Sequence, residues 1–357
     1  MKNNALKEIE IRNFKCFEKL RLEGFKRVNL IGGKNNVGKT AFMEAVEIFV
    51  SSSEPRKLFY AVNRMIRRRQ NNIRTRYTEL DFINRYASKV EVLSGKDWLS
   101  VEYVEEVHVE EVHQVDLFYE YDQTPSYDQT PLIEDGNSIK FSVNGDEKAI
   151  PIRIIVGNWQ NMMNRRDSGL SETINFIGPT RSDEQDVAIL YGALVDLNKE
   201  VFLNESLQLF DENIISLKLR PVRNGIVLKV EMEDFESPVL LSSLGEGVNR
   251  YISILCAIWA SQNGLLFIDE IENGIHYANY NQLWRLIFKA SNDANCQLFI
   301  TTHSKECIHA FHEANDSDEG VYFEFYKNSK KDRISAHKMD RELLEYVLSH
   351  DGRVRGD

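Results

Sequence analysis

The stretch of sequence that decides the fold is GGKNNVGKT, residues 32–40. It contains the pattern G-x-x-x-x-G-K-[ST], follows an apolar strand pattern and precedes a helical pattern from Lys39 to Val50. Glycines let such a loop wrap a triphosphate, so that backbone N–H groups and the helix N-terminus point at its oxygens. Lys39 then reaches the β and γ phosphates, and Thr40 offers its hydroxyl to Mg²⁺. We predict that the nucleotide is held by Gly33, Asn35, Asn36, Gly38, Lys39 and Thr40.

Two carboxylates follow a strand pattern that is apolar on both faces. LLFIDE, residues 265–270, places Asp269 and Glu270 at the C-terminal tip of this strand. Open α/β sheets bind ligands at that edge. Asp269 suits the coordination shell of Mg²⁺, and Glu270 suits orienting or deprotonating the attacking water. The alternative is a solvated acidic strand end without function.

A histidine follows the next apolar strand, CQLFIT, in the run CQLFITTHS. One helix and one strand fill each interval, from Ser243 to Asp269 and from Asp269 to His303. All three side chains can therefore lie along the sheet edge that carries the glycine loop. The alternative for His303 is a hydrogen-bonded residue without a catalytic role.

The turn before another predicted helix, over residues 247–261, supplies further anion ligands. In SSLGEGVNR, residues 242–250, Ser243, Gly245 and Glu246 precede an apolar run. A hydroxyl, backbone N–H groups and a helix N-terminus can form the second half of a phosphate site. Ser243 and Glu246 also fit a capping box, and both interpretations can hold together.

Composition limits the class of protein. The chain has 357 residues, a net charge of −11, and four cysteines without the spacing of a zinc site or a disulfide framework. An N-terminal apolar leader and a membrane-length apolar stretch are both missing, so we expect a cytoplasmic protein. The negative charge argues against indiscriminate coating of nucleic acid, although a local basic face can still bind phosphates.

Patterning predicts an α/β core with an antiparallel N-terminal lobe. KEIEIRNFKCF and EKLRLEGF alternate apolar and polar residues, as antiparallel strands do. After FIGPTR, strands and helices alternate, beginning with a helix over residues 184–201, and this alternation favours parallel pairing. We predict a head formed by residues 1–50 and 172–357, interrupted by an α+β insertion over 51–171.

The predicted insertion has a basic helical part followed by an acidic part. Its acidic part contains the tandem duplications VEEVH (104–113) and YDQTP (121–131), which we interpret as a lengthened β-hairpin and its loop. The basic part can bind phosphates of nucleic acid, or it can be a solvated helix paired with acidic residues of the insertion or of a partner. Its arginines are Arg64, Arg67, Arg68, Arg69, Arg74 and Arg76.

Taken together, four motifs resemble the nucleotide-binding head of the ABC ATPase superfamily, in the branch of SMC, Rad50 and RecF proteins. They are GGKNNVGKT, SSLGEG, LLFIDEIENGIH and ITTHS. IRNFKCFEKLRL and FIGPTR extend the resemblance over roughly residues 6–50 and 174–350. The chain is most similar to the OLD-like ATPases, also called AAA15 or AAA21, of bacterial antiphage defence systems.

The resemblance implies a Mg²⁺-dependent ATPase in which two copies sandwich two ATP molecules head to tail. The segment from Ser243 to Gly247 would replace the signature motif and contact the γ-phosphate held by the other copy. His303 would sense that phosphate, and residues 272–276 would form the D-loop, with His276 at its usual aspartate position. The Q-loop has no clear place, because Gln70, Gln114, Gln160 and Gln185 all lie in or beyond the insertion.

The implied role is a sensor or motor subunit of an antiphage defence or DNA-maintenance complex, acting with a separately encoded nuclease or toxin effector. A scaffold that binds ATP, turns it over little and sequesters such an effector is the main alternative. We expect no TOPRIM nuclease domain, because only about 50 residues follow the helix after His303. The strand-rich insertion and the EIEIRNFKCF start favour the SMC-like branch over transporter subunits.

Overall fold

The computed structural model describes residues 5–70, 89–104, 138–151, 174–223, 225–328 and 333–350. The described residues form two compact units, the first within Glu8–Glu23 and Ala41–Leu170, the second within Lys2–Lys7, Gly24–Thr40 and Ser171–Asp357. Strands and helices are numbered in chain order. Apart from Val104, the two tandem duplications lie outside the described residues.

The first unit contains a six-stranded sheet in which all neighbouring strands are antiparallel. Buried and accessible residues alternate along much of its first two strands, as the apolar pattern predicts. The strands are β1 (Glu8–Phe14), β2 (Phe17–Glu23), β4 (Lys89–Ser94), β5 (Asp97–Val104), β6 (Ser138–Val143) and β7 (Asp146–Pro151), in the spatial order β2-β1-β4-β5-β6-β7.

Two helices, α1 (Lys39–Ser51) and α2 (Pro55–Gln70), supply the apolar cover of this sheet. Ile48 of α1 and Val62 of α2 line an apolar gap together with Val92 and Phe141 of the strands. Phe42, Ala45, Val46 and Phe49, which share one face of α1 at helical spacing, are buried, and Met43, on another side, is buried as well. The helix is therefore enclosed on several sides.

The second unit contains a sheet with a mostly parallel core. Its neighbouring strands are all parallel, except that the two strands nearest the C-terminus form an antiparallel pair. The strands are β3 (Val28–Gly33), β8 (Ile174–Ile177), β12 (Leu265–Ile268), β13 (Gln297–Thr301), β14 (Gly320–Asn328) and β15 (Arg333–Met339), in the order β15-β14-β3-β13-β12-β8. Every residue of β3 and β13 is buried, which is typical of strands covered on both faces. The predicted α/β fold is confirmed.

The described residues of the second unit also form six helices and a small antiparallel sheet. The sheet has the order β11-β10-β9, with β9 (Ile214–Val222), β10 (Gly225–Met232) and β11 (Val239–Leu240). The helices are α3 (Glu184–Asp196), α4 (Glu200–Phe210), α5 (Glu246–Ala260), α6 (Tyr280–Asp293), α7 (Lys305–Ala314) and α8 (Arg341–Ser349). Within the described parts, no helix combines the length and apolar character needed to cross a membrane.

Two local predictions are wrong. The helix predicted over residues 184–201 is divided, because Asn198 has a φ of 56° between α3 and α4, and asparagine tolerates this left-handed backbone. The capping box is also absent. The N-cap position of α5 is occupied by Gly245, so no N-cap side chain bonds the first turn of the helix. Ser243 instead ends a short 3₁₀ turn, Leu241–Ser243.

The first two strands share a sheet with strands from the predicted insertion. β1 pairs with β4, so that Glu10 faces Leu93 and Arg12 faces Glu91. Such a pairing joins segments far apart in sequence, and local alternation of apolar residues carries no information about it. The boundaries 1–50, 51–171 and 172–357 remain a proposal, beside a grouping that places β1 and β2 with β4–β7.

Two of the clustered arginines contact a carboxylate of α1. Nε of Arg64 lies 3.3 Å from Oε1 of Glu47, and Nη2 of Arg68 donates to Oε2 of the same residue. Glu47 is 1% exposed, so water has little access to this carboxylate. For these two arginines the structure favours the paired helix, and Glu47 of α1 is a partner of both. Outside the described part lie Arg74, Arg76 and the side chains of Arg67 and Arg69.

We expect Glu47→Ala to lower the free energy of unfolding by about 2 kcal/mol. The substitution removes a buried carboxylate that faces two guanidinium groups, and the arginines are partly solvated, so the loss falls below that of a fully buried pair. Urea denaturation measures the change. Glu54→Ala is the control, since the exposed Lys57–Glu54 pair contributes at most about 0.5 kcal/mol. Equal losses in the two variants would contradict the assignment.

Candidate active site

The loop between β3 and α1 has the backbone shape that its glycines predict. Gly33, Asn36 and Gly38 have φ values of 131°, 61° and 86°, a region that glycine and asparagine enter most readily. A Cβ at Gly33 would lie 2.2 Å from the carbonyl oxygen of Phe325, so this position requires glycine. Asn35 and Asn36 are exposed at the rim of the loop, where a ligand can reach them.

The ammonium group of Lys39 is buried within this loop. Nζ donates to the carbonyl oxygens of Gly33 and Lys34, both at 2.8 Å, and lies 3.2 Å from Nδ1 of His303. Lys39 is 6% exposed, and burial lowers its pKa to about 8 despite nearby carboxylates. The carbonyls of the loop thus hold the group that the sequence assigns to the β and γ phosphates.

The carboxylate of Asp269 joins two other elements of the sheet edge. Oδ2 accepts a hydrogen bond from the hydroxyl of Thr40 at 2.9 Å, and Oδ1 accepts one from the hydroxyl of Thr301 at 2.6 Å. Thr40 lies at the start of α1, and Thr301 ends β13. The parallel register of β12 and β13, which pairs Ile268 with Ile300, brings the two strand ends to one level.

Glu270 adopts an uncommon backbone conformation at the same edge. Its φ is 49°, and its N–H donates to the hydroxyl of Thr301 at 2.8 Å. Its Oε2 accepts a hydrogen bond from Nδ2 of Asn273 at 2.6 Å, and its Oε1 lies 3.6 Å from Nε2 of His303. Because Lys39 approaches the other ring nitrogen of His303, the imidazole proton belongs on Nε2, which faces the carboxylate.

A third carboxylate fixes the main chain at His303. Oε1 of Glu272 accepts the backbone N–H of His303 at 2.5 Å. Its Oε2 is buried and has no hydrogen-bond partner among the described residues. His303 therefore lies between Lys39 and Glu270 with its backbone held in place, where it can respond to a γ-phosphate.

The turn before α5 is accessible to solvent. Ser243, Gly245 and Glu246 are all exposed, and the side chains of Ser243 and Glu246 make no hydrogen bond within the described part of the chain. The next residue contacts the predicted D-loop: a Cβ at Gly247 would lie 2.6 Å from the carbonyl oxygen of Gly274. This turn and residues 272–276 therefore pack closely within one chain.

The structure brings together Lys39, Thr40, Asp269, Glu270 and His303, and it adds two residues that sequence reasoning missed. Thr301 orients both acidic residues, although in the sequence it is only the last residue of an apolar strand. Arg250 binds four carbonyl oxygens near them, and its one signal in the sequence is a charged residue directly before the apolar run of α5. His276 caps the short turn Tyr277–Asn279 through Nδ1.

The donor set beside the loop suits Mg²⁺. Thr40 and Asp269 present oxygen atoms 2.9 Å apart, and Mg²⁺ prefers oxygen ligands. The described residues contain no group of three or more His, Cys, Asp and Glu side chains able to hold a metal. The two side chains would therefore share the ion with phosphate oxygens and water, and the ion would neutralise charge on the phosphates.

Known proteins resemble this chain in sequence and in fold. Residues 5–124 and 160–308 match the AAA ATPase domain family. A Helicobacter pylori protein named ATP/GTP phosphatase is 25% identical over 342 residues, which cover 85% of this chain and 86% of that protein. An uncharacterized protein of Methanocaldococcus jannaschii is 38% identical over 61 residues, 17% of this chain and 28% of that protein.

Among solved structures, an SMC head bound to the C-terminal winged-helix domain of ScpA has a TM-score of 0.51 and 12% identity, and covers 95% of this chain and 99% of that chain. This likeness shows the fold alone. The family match confirms the predicted ATPase domain, and the structural likeness confirms the predicted fold. The closer relation to OLD-like ATPases of antiphage systems stays a prediction.

Nucleotide binding should weaken as the pH rises through the pKa of Lys39. The ammonium is charged below its pKa of about 8 and loses its proton above it. From about pH 7 to about pH 9 the charged fraction falls about tenfold, and we expect ADP affinity in an equilibrium titration to fall by a similar factor. Lys39→Arg is the control, because a guanidinium stays charged over this range. The same pH dependence of ADP affinity in wild type and Lys39→Arg would contradict the role of the Lys39 charge in nucleotide binding.

Proposed function

The chain belongs to the AAA ATPase domain family and is an ATPase, and from that premise we propose that two copies bind and hydrolyse two ATP molecules head to tail. Each half-site combines Lys39 and Thr40 of one copy with Ser243 and Gly245 of the other. The observation that carries this proposal is the exposed turn before α5, whose hydroxyl and helix N-terminus are free to bind an anion from another molecule.

Each residue at the sheet edge has a separate role in the proposed phosphoryl transfer. Lys39 binds the β and γ phosphates, while Thr40 and Asp269 hold Mg²⁺. Glu270 orients and deprotonates the attacking water, and His303 aligns the γ-phosphate. Phosphoryl-transfer catalysis is mostly positioning and charge stabilisation, so turnover requires both halves of a site to close. A monomer should be nearly inactive.

The wider role we propose is that of a sensor or motor subunit in a bacterial antiphage defence or DNA-maintenance complex, with a separately encoded effector. This role rests on the resemblance of the motifs. The scaffold alternative uses the same site for ATP binding and needs little turnover. Nucleic-acid binding by the basic segment rests mainly on Arg67, Arg69, Arg74 and Arg76, because Arg64 and Arg68 contact Glu47.

Glu270→Gln should abolish hydrolysis and retain ATP-induced dimers. The amide keeps the size of the side chain and removes the base, so the nucleotide remains bound without being cleaved. Phosphate release and size-exclusion chromatography with ATP measure the two effects, and Glu233→Gln, at an exposed position, is the control. Little turnover in the wild type favours the scaffold, and equal hydrolysis by wild type and Glu270→Gln would discard the role of Glu270.

Ser243→Arg should prevent ATP-induced dimers and leave nucleotide binding by the monomer unchanged. Ser243 is exposed, so a larger cation there blocks the approach of a second copy with little strain within the chain. Light scattering in the presence of ATP measures dimer formation, and titration with ADP measures nucleotide binding. Ser237→Arg adds the same side chain to another exposed turn and should leave dimers intact. Normal dimers of Ser243→Arg would remove the head-to-tail arrangement.

A further inference from the structure

Arg250 is the buried cation on which four main-chain carbonyls converge. Nη2 donates to the carbonyl oxygens of Asp269 at 2.6 Å and Glu270 at 3.1 Å, and Nη1 donates to that of Gly178 and reaches that of Thr180 at 3.5 Å. The residue is 1% exposed. One side chain of α5 therefore holds the chain after β12 and the chain after β8.

The position of Arg250 along α5 relates these contacts to the exposed turn. The helix begins at Glu246, so Arg250 lies about one turn from its N-terminus. Residues 249–259 of α5 are buried, which makes the helix a rigid part of the core. A shift of the turn at Ser243–Gly247 therefore reaches the guanidinium through a single helical turn.

A second contact joins the same turn to the same acidic segment. Gly247 packs against the carbonyl of Gly274, and Gly274 packs against the side chain of Glu246. Gly274 lies four residues after Glu270 on a chain that stays close to the site through Asn273. The turn before α5 is thus connected to Glu270 by two paths, one through Arg250 and one through the pair Gly247–Gly274.

We propose that Arg250 is a positioning residue that couples the two half-sites: when the turn before α5 contacts ATP held by a second copy, Arg250 transmits that contact to the backbone of Glu270 in its own half-site. This inference rests on the proposed dimer. It explains why a cation is buried against carbonyls beside a glutamate with a φ of 49°. A left-handed glutamate is unfavourable alone, and two guanidinium contacts to the local main chain oppose its relaxation.

Arginine suits this task because of its shape. A planar guanidinium carries five N–H donors in a fixed geometry, whereas lysine offers one compact ammonium that cannot reach four acceptors in this arrangement. Burial lowers the pKa of Arg250 to about 10, so the group still carries its charge at neutral pH. Arg250→Lys therefore keeps the charge and loses the geometry.

The test compares the ATP dependence of hydrolysis in wild type, Arg250→Lys and Gly247→Ala. The wild type should have a Hill coefficient clearly above 1, and the two coupled sites set its upper limit at about 2. In both variants we expect a value of about 1, a kcat at least about tenfold lower, and ADP affinity within about twofold of wild type. Gly247→Ala disturbs the second path, because its Cβ would meet the carbonyl oxygen of Gly274 at 2.6 Å and force the two segments apart. It leaves Arg250 in place, so the test stands even if substitution at position 250 affects folding. Arg285→Lys, on the exposed side of α6, is the control.

The Hill coefficient separates coupling from a structural role. Loss of packing alone would lower the folded fraction, measured by circular dichroism, and leave the cooperativity of the folded protein unchanged. That result overturns the coupling and leaves the proposed dimer unaffected. Unchanged kinetics in both variants, when the wild type is cooperative, has the same consequence. A wild type that hydrolyses ATP without cooperativity and without dimers overturns the dimer and the coupling together.

Discussion

The carboxylate of Asp269 holds the site together, because each of its oxygens binds a hydroxyl from a different element. Thr40 belongs to the start of α1 and Thr301 to the end of β13, so one side chain joins the glycine loop, β12 and β13. The neighbouring hydrogen bond from Glu270 N–H to Thr301 extends this junction to the second acidic residue. The parallel register of β12, β13 and β3 is what brings these ends together.

The buried cations of the site share an unusual feature. Lys39 and Arg250 are both held by main-chain carbonyl oxygens in the contacts that fix them. Neither positive charge is therefore paired with a carboxylate in these contacts, and Asp269 and Glu270 bind other groups through their carboxylate oxygens, namely Thr40, Thr301 and Asn273. A preorganised arrangement of this kind stabilises charge on a phosphate without reorganisation during the reaction.

Much of the second unit and the centre of the site could be predicted from the sequence, because both depend on local patterns. The glycine loop, two strand ends with acidic residues and a histidine after a third strand are short, ordered signals. The rest depends on contacts distant in sequence. No local pattern shows that β1 pairs with β4, that Glu47 faces Arg64 and Arg68, or that a threonine closing β13 orients two acids. The capping box is absent because Ser243 lies in a 3₁₀ turn, two residues before the N-cap position of α5.

The left-handed backbone at residue 270 also limits how this protein can evolve. β-branched side chains are poorly tolerated at such a φ, whereas asparagine and glycine accept it easily. A lineage that replaced Glu270 by either of these would preserve the local backbone and lose the carboxylate to which we assign the role of base. If the proposed role of Glu270 holds, substitution of this one residue would separate a protein that hydrolyses ATP from one that only binds it, without a change of fold.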